Sequence, residues 1–278
     1  MLKMQGRITK IVSNTFSVNV NNDVYDCKAR GKFRNEKITP MVGDLVAIED
    51  KDLLITDIFP RKNELKRPFI SNVDKALIIT SVADPKLSLD LLDKQLCTII
   101  FNKVTPIIIL SKLDLLNSKE KKEIKKIAKY YSSIGIKVLK NTDKKKIREQ
   151  IAKNVVVLTG QSGAGKSTLL NKLEKTLDLK TSPISKALGR GVHTTRHVEL
   201  FEIAKGLIAD TPGFSALDLS EITKEELKRL FIEFKHYNCQ YDNCSHIKEK
   251  NCGVKKALEE NKILKSRYDN YIKFGSEK

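Results

Sequence analysis

Gly160-Gln161-Ser162-Gly163-Ala164-Gly165-Lys166-Ser167-Thr168 lies between the apolar run Val155–Leu158 and the pair Leu169-Leu170. A short apolar run reads as a buried strand, and the leucines open a helix. Strand, glycine-rich loop and helix in that order are what the pattern G-x-x-x-x-G-K-[ST] requires to cradle phosphates. The glycines let successive backbone N–H groups converge on an anion, and the helix N-terminus adds its dipole. Lys166 is expected to bridge the β- and γ-phosphates and Ser167 to offer its hydroxyl to Mg²⁺. The whole stretch 160–168 is therefore assigned to a nucleoside triphosphate rather than to a chance Gly/Ser-rich turn.

The flanking chain alternates strands and helices. Val73–Val82, Pro106–Leu110, Ile136–Leu139 and Leu207–Ala209 read as strands, and Asp90–Phe101 and the Lys-rich 119–131 as helices. Such alternation predicts a parallel sheet covered on both faces. Asp210-Thr211-Pro212-Gly213 ends one strand: Asp210 is placed to hold Mg²⁺ and Gly213 N–H to meet the γ-phosphate. Ser111-Lys112-Leu113-Asp114 ends another. The Asp114 carboxylate can accept from guanine N1–H and the exocyclic amine, a donor pair adenine lacks, so this element argues for GTP. Ser111 is shorter than the usual Asn or Thr and is expected to brace the phosphate loop less well.

The order is unusual, since ordinary GTPases place the phosphate loop first and the guanine motif last. Gly189–Arg196 lies where switch I belongs, and Thr195 is the residue expected to close on Mg²⁺ there. Ras-like enzymes follow the Asp-x-x-Gly glycine with a Gln that orients the attacking water. This chain has Phe214, which cannot do so by hydrogen bonding. His193 is the nearest candidate in sequence, the alternative being a group that the partner supplies.

The 278 residues carry a net charge of +18, and residues 66–222 hold 28 Lys+Arg against 16 Asp+Glu. That excess suggests an acidic partner, although a Lys-rich solvated surface has the same composition. No apolar run approaches a transmembrane length, and the first residues lack a secretory h-region, so a cytoplasmic protein is expected.

The first sixty residues read as about five short strands (Gly6–Val12, Thr15–Val20, Val24–Ala29 and Asp44–Glu49 among them), as in a small OB-like barrel. Arg30, Lys32 and Arg34 alternate around Phe33, as on a nucleic-acid-facing strand or on an ordinary charged face. Residues 60–68, flanked by prolines, read as a linker. At the other end, Thr223 and Glu226 form a capping box ahead of Leu227 and Leu230, and 254–274 reads as one further helix. Cys239-x4-Cys244-x-His246-x5-Cys252 offers three thiolates and an imidazole, a complete tetrahedral Zn²⁺ shell of the structural kind. Cys27 and Cys97 are isolated and read as core residues.

At this point the chain resembles the ribosome small subunit-dependent GTPase A family, RsgA (YjeQ or YloQ). The resemblance rests on Gly31-Lys32-Phe33-Arg34, Val42-Gly43-Asp44, Arg67-Pro68 with Asn72-Val73-Asp74, and every element above. The family's guanine-backing Ser-Ala element is replaced here by Lys140-Asn141-Thr142. The resemblance implies an α/β fold: a circularly permuted P-loop GTPase domain (63–218) between an RNA-binding OB-like β-barrel (1–62) and a helical zinc-binding domain (219–278). It implies hydrolysis of GTP to GDP and phosphate, stimulated by the small ribosomal subunit and its rRNA during late maturation. A monomer with one structural Zn²⁺, and Mg²⁺ with GTP, is expected. The rival reading is an RNA-binding protein whose nucleotide is only a structural ligand.

Overall fold

Alternating apolar residues build a five-stranded closed barrel. Its strands are β1 (Lys3–Val12), β2 (Thr15–Val20), β3 (Asp23–Ala29), β4 (Leu45–Glu49) and β5 (Leu54–Ile58), in the order β1-β2-β3-β5-β4. The computed structural model describes residues 3–31, 33, 38–66, 68–174, 198–210 and 219–277. Ile8, Phe16, Val18, Cys27, Val46, Ile48 and Ile55 fill the barrel. Asn21 and Asn22, both with positive φ, make the two-residue turn between β2 and β3, as the primed hairpin turns require. Gly6 is needed for closure: a Cβ there would lie 2.5 Å from Val18 Cγ1.

Residues 60–68 are not a free linker. They contain β6 (Glu64–Lys66), which pairs with β7 (Phe69–Ser71). The reason is a buried charge. Asp44 is wholly buried; it accepts from Arg61 Nε and Nη2 at 2.7 Å each, from Ser71 Oγ at 2.6 Å and from Met41 N at 2.9 Å. A bidentate guanidinium and two further donors satisfy a carboxylate that would otherwise be very costly to bury. Beside it, Gly43 takes φ +94, and a Cβ there would meet Ser71 O at 2.1 Å. Val42-Gly43-Asp44 is thus the joint where the barrel meets the rest of the chain. Asn72-Val73-Asp74 completes it, with Asn72 Nδ2 on Gly43 O at 3.1 Å and Asp74 Oδ2 accepting from Val155 N at 2.7 Å.

Beyond the joint runs a six-stranded sheet in the order β10-β9-β8-β11-β13-β12. Its strands are β8 (Lys75–Ser81), β9 (Thr105–Ser111), β10 (Lys137–Lys140), β11 (Val155–Thr159), β12 (Leu200–Ile203) and β13 (Gly206–Asp210). All neighbours are parallel except β12 and β13. Helices α1 (Leu89–Phe101) and α2 (Ser118–Ser133) cover one face, through Leu92, Leu96, Ile99, Ile124 and Tyr131. Helices α3 (Lys144–Ile151) and α4 (Lys166–Leu173) cover the other, through Ile147, Ile151, Leu169, Leu170 and Leu173. Sequence reading passed over α3, although the i, i+4 pair Ile147 and Ile151 carries its signal, and it passed over β12.

The C-terminal part is helical: α5 (Lys224–Leu230), α6 (Gly253–Glu259) and α7 (Lys265–Ser276). Thr223 and Glu226 form the expected capping box. The expected single helix over 254–274 is instead two. Asn261 takes φ +56, and Lys262 N reaches back to Ala257 O at 2.9 Å, closing α6 as in a Schellman stop.

Candidate nucleotide site and metal centre

β11 is fully buried at the middle of the sheet, so the loop that leaves it at Gly160 is held from below by strands on both sides. Gly160 takes φ +138, and a Cβ there would meet Ile79 O of β8 at 2.1 Å, so no other residue fits. The chain turns through Gly163 and Gly165, both with positive φ, into α4. Lys166 Nζ folds back over the loop and donates to Gly160 O at 2.8 Å and Gln161 O at 2.9 Å. Ser162 and Thr168 are exposed, Gln161 and Ser167 partly so, and Ala164 is buried.

The segment expected to read guanine, Ser111–Asp114, follows β9, two strands from β11. Ser111 Oγ donates to Ala164 O at 2.7 Å, and so braces the phosphate loop in spite of its short side chain. β8 alone separates the two strands, so one methylene is enough to reach. Lys112 adopts the left-handed conformation (φ +59), with its ammonium on the Asp84 carbonyl. Leu113 and Asp114 open a 3₁₀ turn (Leu113–Leu115), and Asp114 is exposed. Lys140-Asn141-Thr142 lies beside this motif, with Asn141 N on Leu110 O at 2.9 Å.

Asp210 ends β13 opposite Leu158 of β11, at the same end of the sheet as the loop. Gly189–Arg196, with His193 and Thr195, and the segment with Gly213 and Phe214 lie outside the described residues. The spatial set of elements is independent of their order in the chain. β8 and β13 flank the phosphate-loop strand and β9 lies one strand further, wherever the chain happens to begin.

The second cluster is at the C-terminal end. Cys239, Cys244, His246 and Cys252 each offer one ligand atom, all within 4.8 Å of one another. Cys239 Sγ lies 3.8 Å from Cys252 Sγ, and His246 Nδ1 lies 3.5 and 3.4 Å from those two sulfurs. Edges of about 3.8 Å between sulfurs are those of a tetrahedron with metal–sulfur bonds near 2.3 Å. The four residues could therefore hold a metal ion. Tyr268 and Tyr271 fix the loop from α7, donating to His246 O at 2.6 Å and Ser245 O at 2.7 Å. Cys27 and Cys97 are buried elsewhere, as expected.

A third constellation was not legible in the sequence. Arg267 of α7 is wholly buried, with Nη1 2.7 Å from Asp93 Oδ1 of α1 and Nε 2.8 Å from Glu233 Oε1. Tyr131 OH and Asn270 Nδ2 donate to Asp93, and Tyr130 OH donates to Glu233. The Arg267 guanidinium lies 4.2 Å from the Phe231 ring centroid. Burial pushes the Asp93 carboxyl up, against the pull of Arg267. Burial also works to lower Arg267, but Asp93 and Glu233 outweigh it and hold the guanidinium above its usual range. On the same α1, Gln95 Nε2 lies 3.3 Å from Thr159 Oγ1, one residue before the phosphate loop.

Fold and site together define a circularly permuted P-loop GTPase. The RsgA GTPase family model matches residues 58–220 and the RsgA N-terminal domain model residues 5–53. The chain is 44% identical over 280 residues to the small ribosomal subunit biogenesis GTPase RsgA of Staphylococcus aureus (strain Mu50), covering 98% of this chain and 96% of that one. It is 42% identical to that of Enterococcus faecalis (strain V583), covering 99% and 95%. Among solved structures it resembles YjeQ from Thermotoga maritima (TM-score 0.86, 29% identity, 99% and 98% coverage). It also resembles YloQ, a circularly permuted GTPase (TM-score 0.85, 35% identity, 99% and 95% coverage). The chain belongs to the RsgA GTPase family.

Proposed function

We propose that this GTPase acts on the small ribosomal subunit late in its maturation, hydrolysing GTP while docked on the subunit's rRNA. Residues 160–168 cradle the phosphates, and Ser111, Lys112, Leu113 and Asp114 read the base. Ser167, Thr195 and Asp210 would hold Mg²⁺, which would neutralise charge on the phosphates, and Gly213 would meet the γ-phosphate. Water attacks the γ-phosphorus, the bond to the β–γ bridging oxygen breaks, and GDP and phosphate leave. Lys166 stabilises the charge that develops there, and His193 orders the water. Cys239, Cys244, His246 and Cys252 would hold one Zn²⁺ that would help to organise residues 219–278, while residues 1–62 grip RNA and 63–218 carry the chemistry. A single chain holds every element, which supports a monomer, and ribosome assembly would place it in the cytoplasm. Among the described residues no helix is long and apolar enough to cross a membrane.

The observation that supports the reading best is the 2.7 Å Ser111–Ala164 bond, which joins the segment 111–114 to the loop 160–168. The names of the relatives supply the subunit. A nucleotide kept only as a structural ligand is disfavoured by membership of a GTPase family. The test is GTP turnover with and without purified small subunits. Stimulation of at least tenfold, about 1.4 kcal/mol of barrier, is expected, and an unstimulated rate would sink the ribosomal assignment. His193→Ala should lose most of that stimulation with GTP affinity within a few-fold.

A further inference from the structure

Helix α2 carries lysine at 119, 121, 122, 125, 126 and 129, against two acids, Glu120 and Glu123. All six lysines are exposed, and among the described residues none of their ammonium groups stands in an ion pair. Glu120 is committed to the helix start, accepting from Asn117 N at 2.8 Å. Ile124 and Tyr131 are the buried positions of the helix. At 3.6 residues per turn, Lys119, Lys122, Lys126 and Lys129 share the opposite face, and Lys121 and Lys125 flank it.

A helix surface built for its own stability alternates signs at i, i+4; like charges at that spacing destabilise it. Here Lys121 and Lys125, Lys122 and Lys126, and Lys125 and Lys129 are all such pairs. The self-repulsion is tolerated because the helix is anchored elsewhere. An Asn117–Glu120 capping box closes its start, and Tyr130 and Tyr131 bind Glu233 and Asp93 at 3.0 and 2.7 Å. The helix that carries the stripe is therefore held in place, and the stripe extends about 15 Å along it.

We infer that the outer face of α2 docks on the phosphate backbone of RNA. The inference rests on the ribosomal reading above and names a surface for it. A row of cations whose neighbouring aromatic, Tyr130, is turned onto Glu233 suits backbone phosphates rather than bases, which need stacking platforms. Over that length a strand presents on the order of four phosphates.

The test compares the full-length protein with the triple variant Lys122→Gln, Lys126→Gln, Lys129→Gln. A control triple, Lys144→Gln, Lys145→Gln, Lys146→Gln, lies on α3, across the sheet. Affinity for purified small subunits is measured from low to physiological salt with GTP bound, alongside GTP affinity and thermal melting. The α2 triple should bind subunits at least tenfold more weakly, and its plot of log affinity against log salt should be shallower by about two, as released counterions require. GTP affinity and melting should match the wild type, and the α3 triple should change neither affinity nor slope. Unaltered affinity in the α2 triple overturns the proposal, as does an equal loss in both triples. Weakened binding with an unchanged slope overturns it as well, because the contact is then not with phosphate. If the wild type itself fails to bind subunits, the ribosomal reading falls first, which separates the two failures.

Discussion

Ser111 Oγ donates a 2.7 Å hydrogen bond to the carbonyl oxygen of Ala164, across 53 residues of chain. Ala164 is wholly buried, so its carbonyl has little recourse to water once the hydroxyl is removed. Ser111→Ala should therefore cost about 1 kcal/mol of loop stability, and GTP affinity should fall roughly five-fold. Titration calorimetry checks this. Ser111→Thr, which keeps the hydroxyl, should recover most of the loss, and an unaffected Ser111→Ala would show that the brace is dispensable.

Asp114 is exposed at the start of the 3₁₀ turn, with its backbone held by the same strand as Ser111. Asp114→Asn should shift preference from GTP toward xanthosine triphosphate, because the amide can pair with the carbonyl that replaces guanine's amine. Competition binding reads the shift. Equal binding of ATP and GTP by the wild type would remove the guanine assignment.

Metal analysis should find one Zn²⁺ per chain, lost in Cys244→Ser. Because a metal shell contributes folding energy, the Cys239–Cys252 loop should then loosen together with the helices packed on it through Phe231, Phe234, Tyr271 and Phe274. The effect should reach further: Arg267 and Asn270 would no longer satisfy Asp93 of α1, so the melting temperature of the GTPase part should fall too. Full metal occupancy in Cys244→Ser would put the ligands elsewhere.

Arg267→Met leaves Asp93 buried without its cation, and should cost about 3–5 kcal/mol by urea unfolding. The pH dependence has a definite sign. Burial already raises the Asp93 carboxyl in the folded state, and removing Arg267 raises it further. A raised carboxyl makes stability fall as pH climbs from the unfolded value, near 3.9, through the folded one. The gap between wild type and variant should therefore be wider at pH 8 than at pH 5.5, with metal content verified at both. A gap independent of pH would assign the loss to packing rather than charge.

The sequence by itself determined the elements whose chemistry is local. A phosphate loop needs glycines at fixed offsets, this metal shell draws all four donors from residues 239–252, and a capping box spans a single turn. Each is therefore readable in one short window, and Gly160–Thr168, Cys239–Cys252 and Thr223–Glu226 all were. Alternation of strand and helix around the loop likewise carried the sheet, because burial on both faces writes continuous apolar runs. Tertiary structure alone decided what depends on partners distant in sequence. Asp44, Arg61 and Ser71 turn an apparent linker into a welded joint. Asp93, Glu233 and Arg267 look like ordinary surface charges until α1, α7 and the turn after α5 bring them together in a buried cluster. The adequacy of Ser111 was equally invisible, since only the spacing between β9 and β11 sets how far its hydroxyl must reach. Polar groups state their chemistry in the sequence, but the cost of burying them, and the partner that offsets it, exist only once the chain has folded.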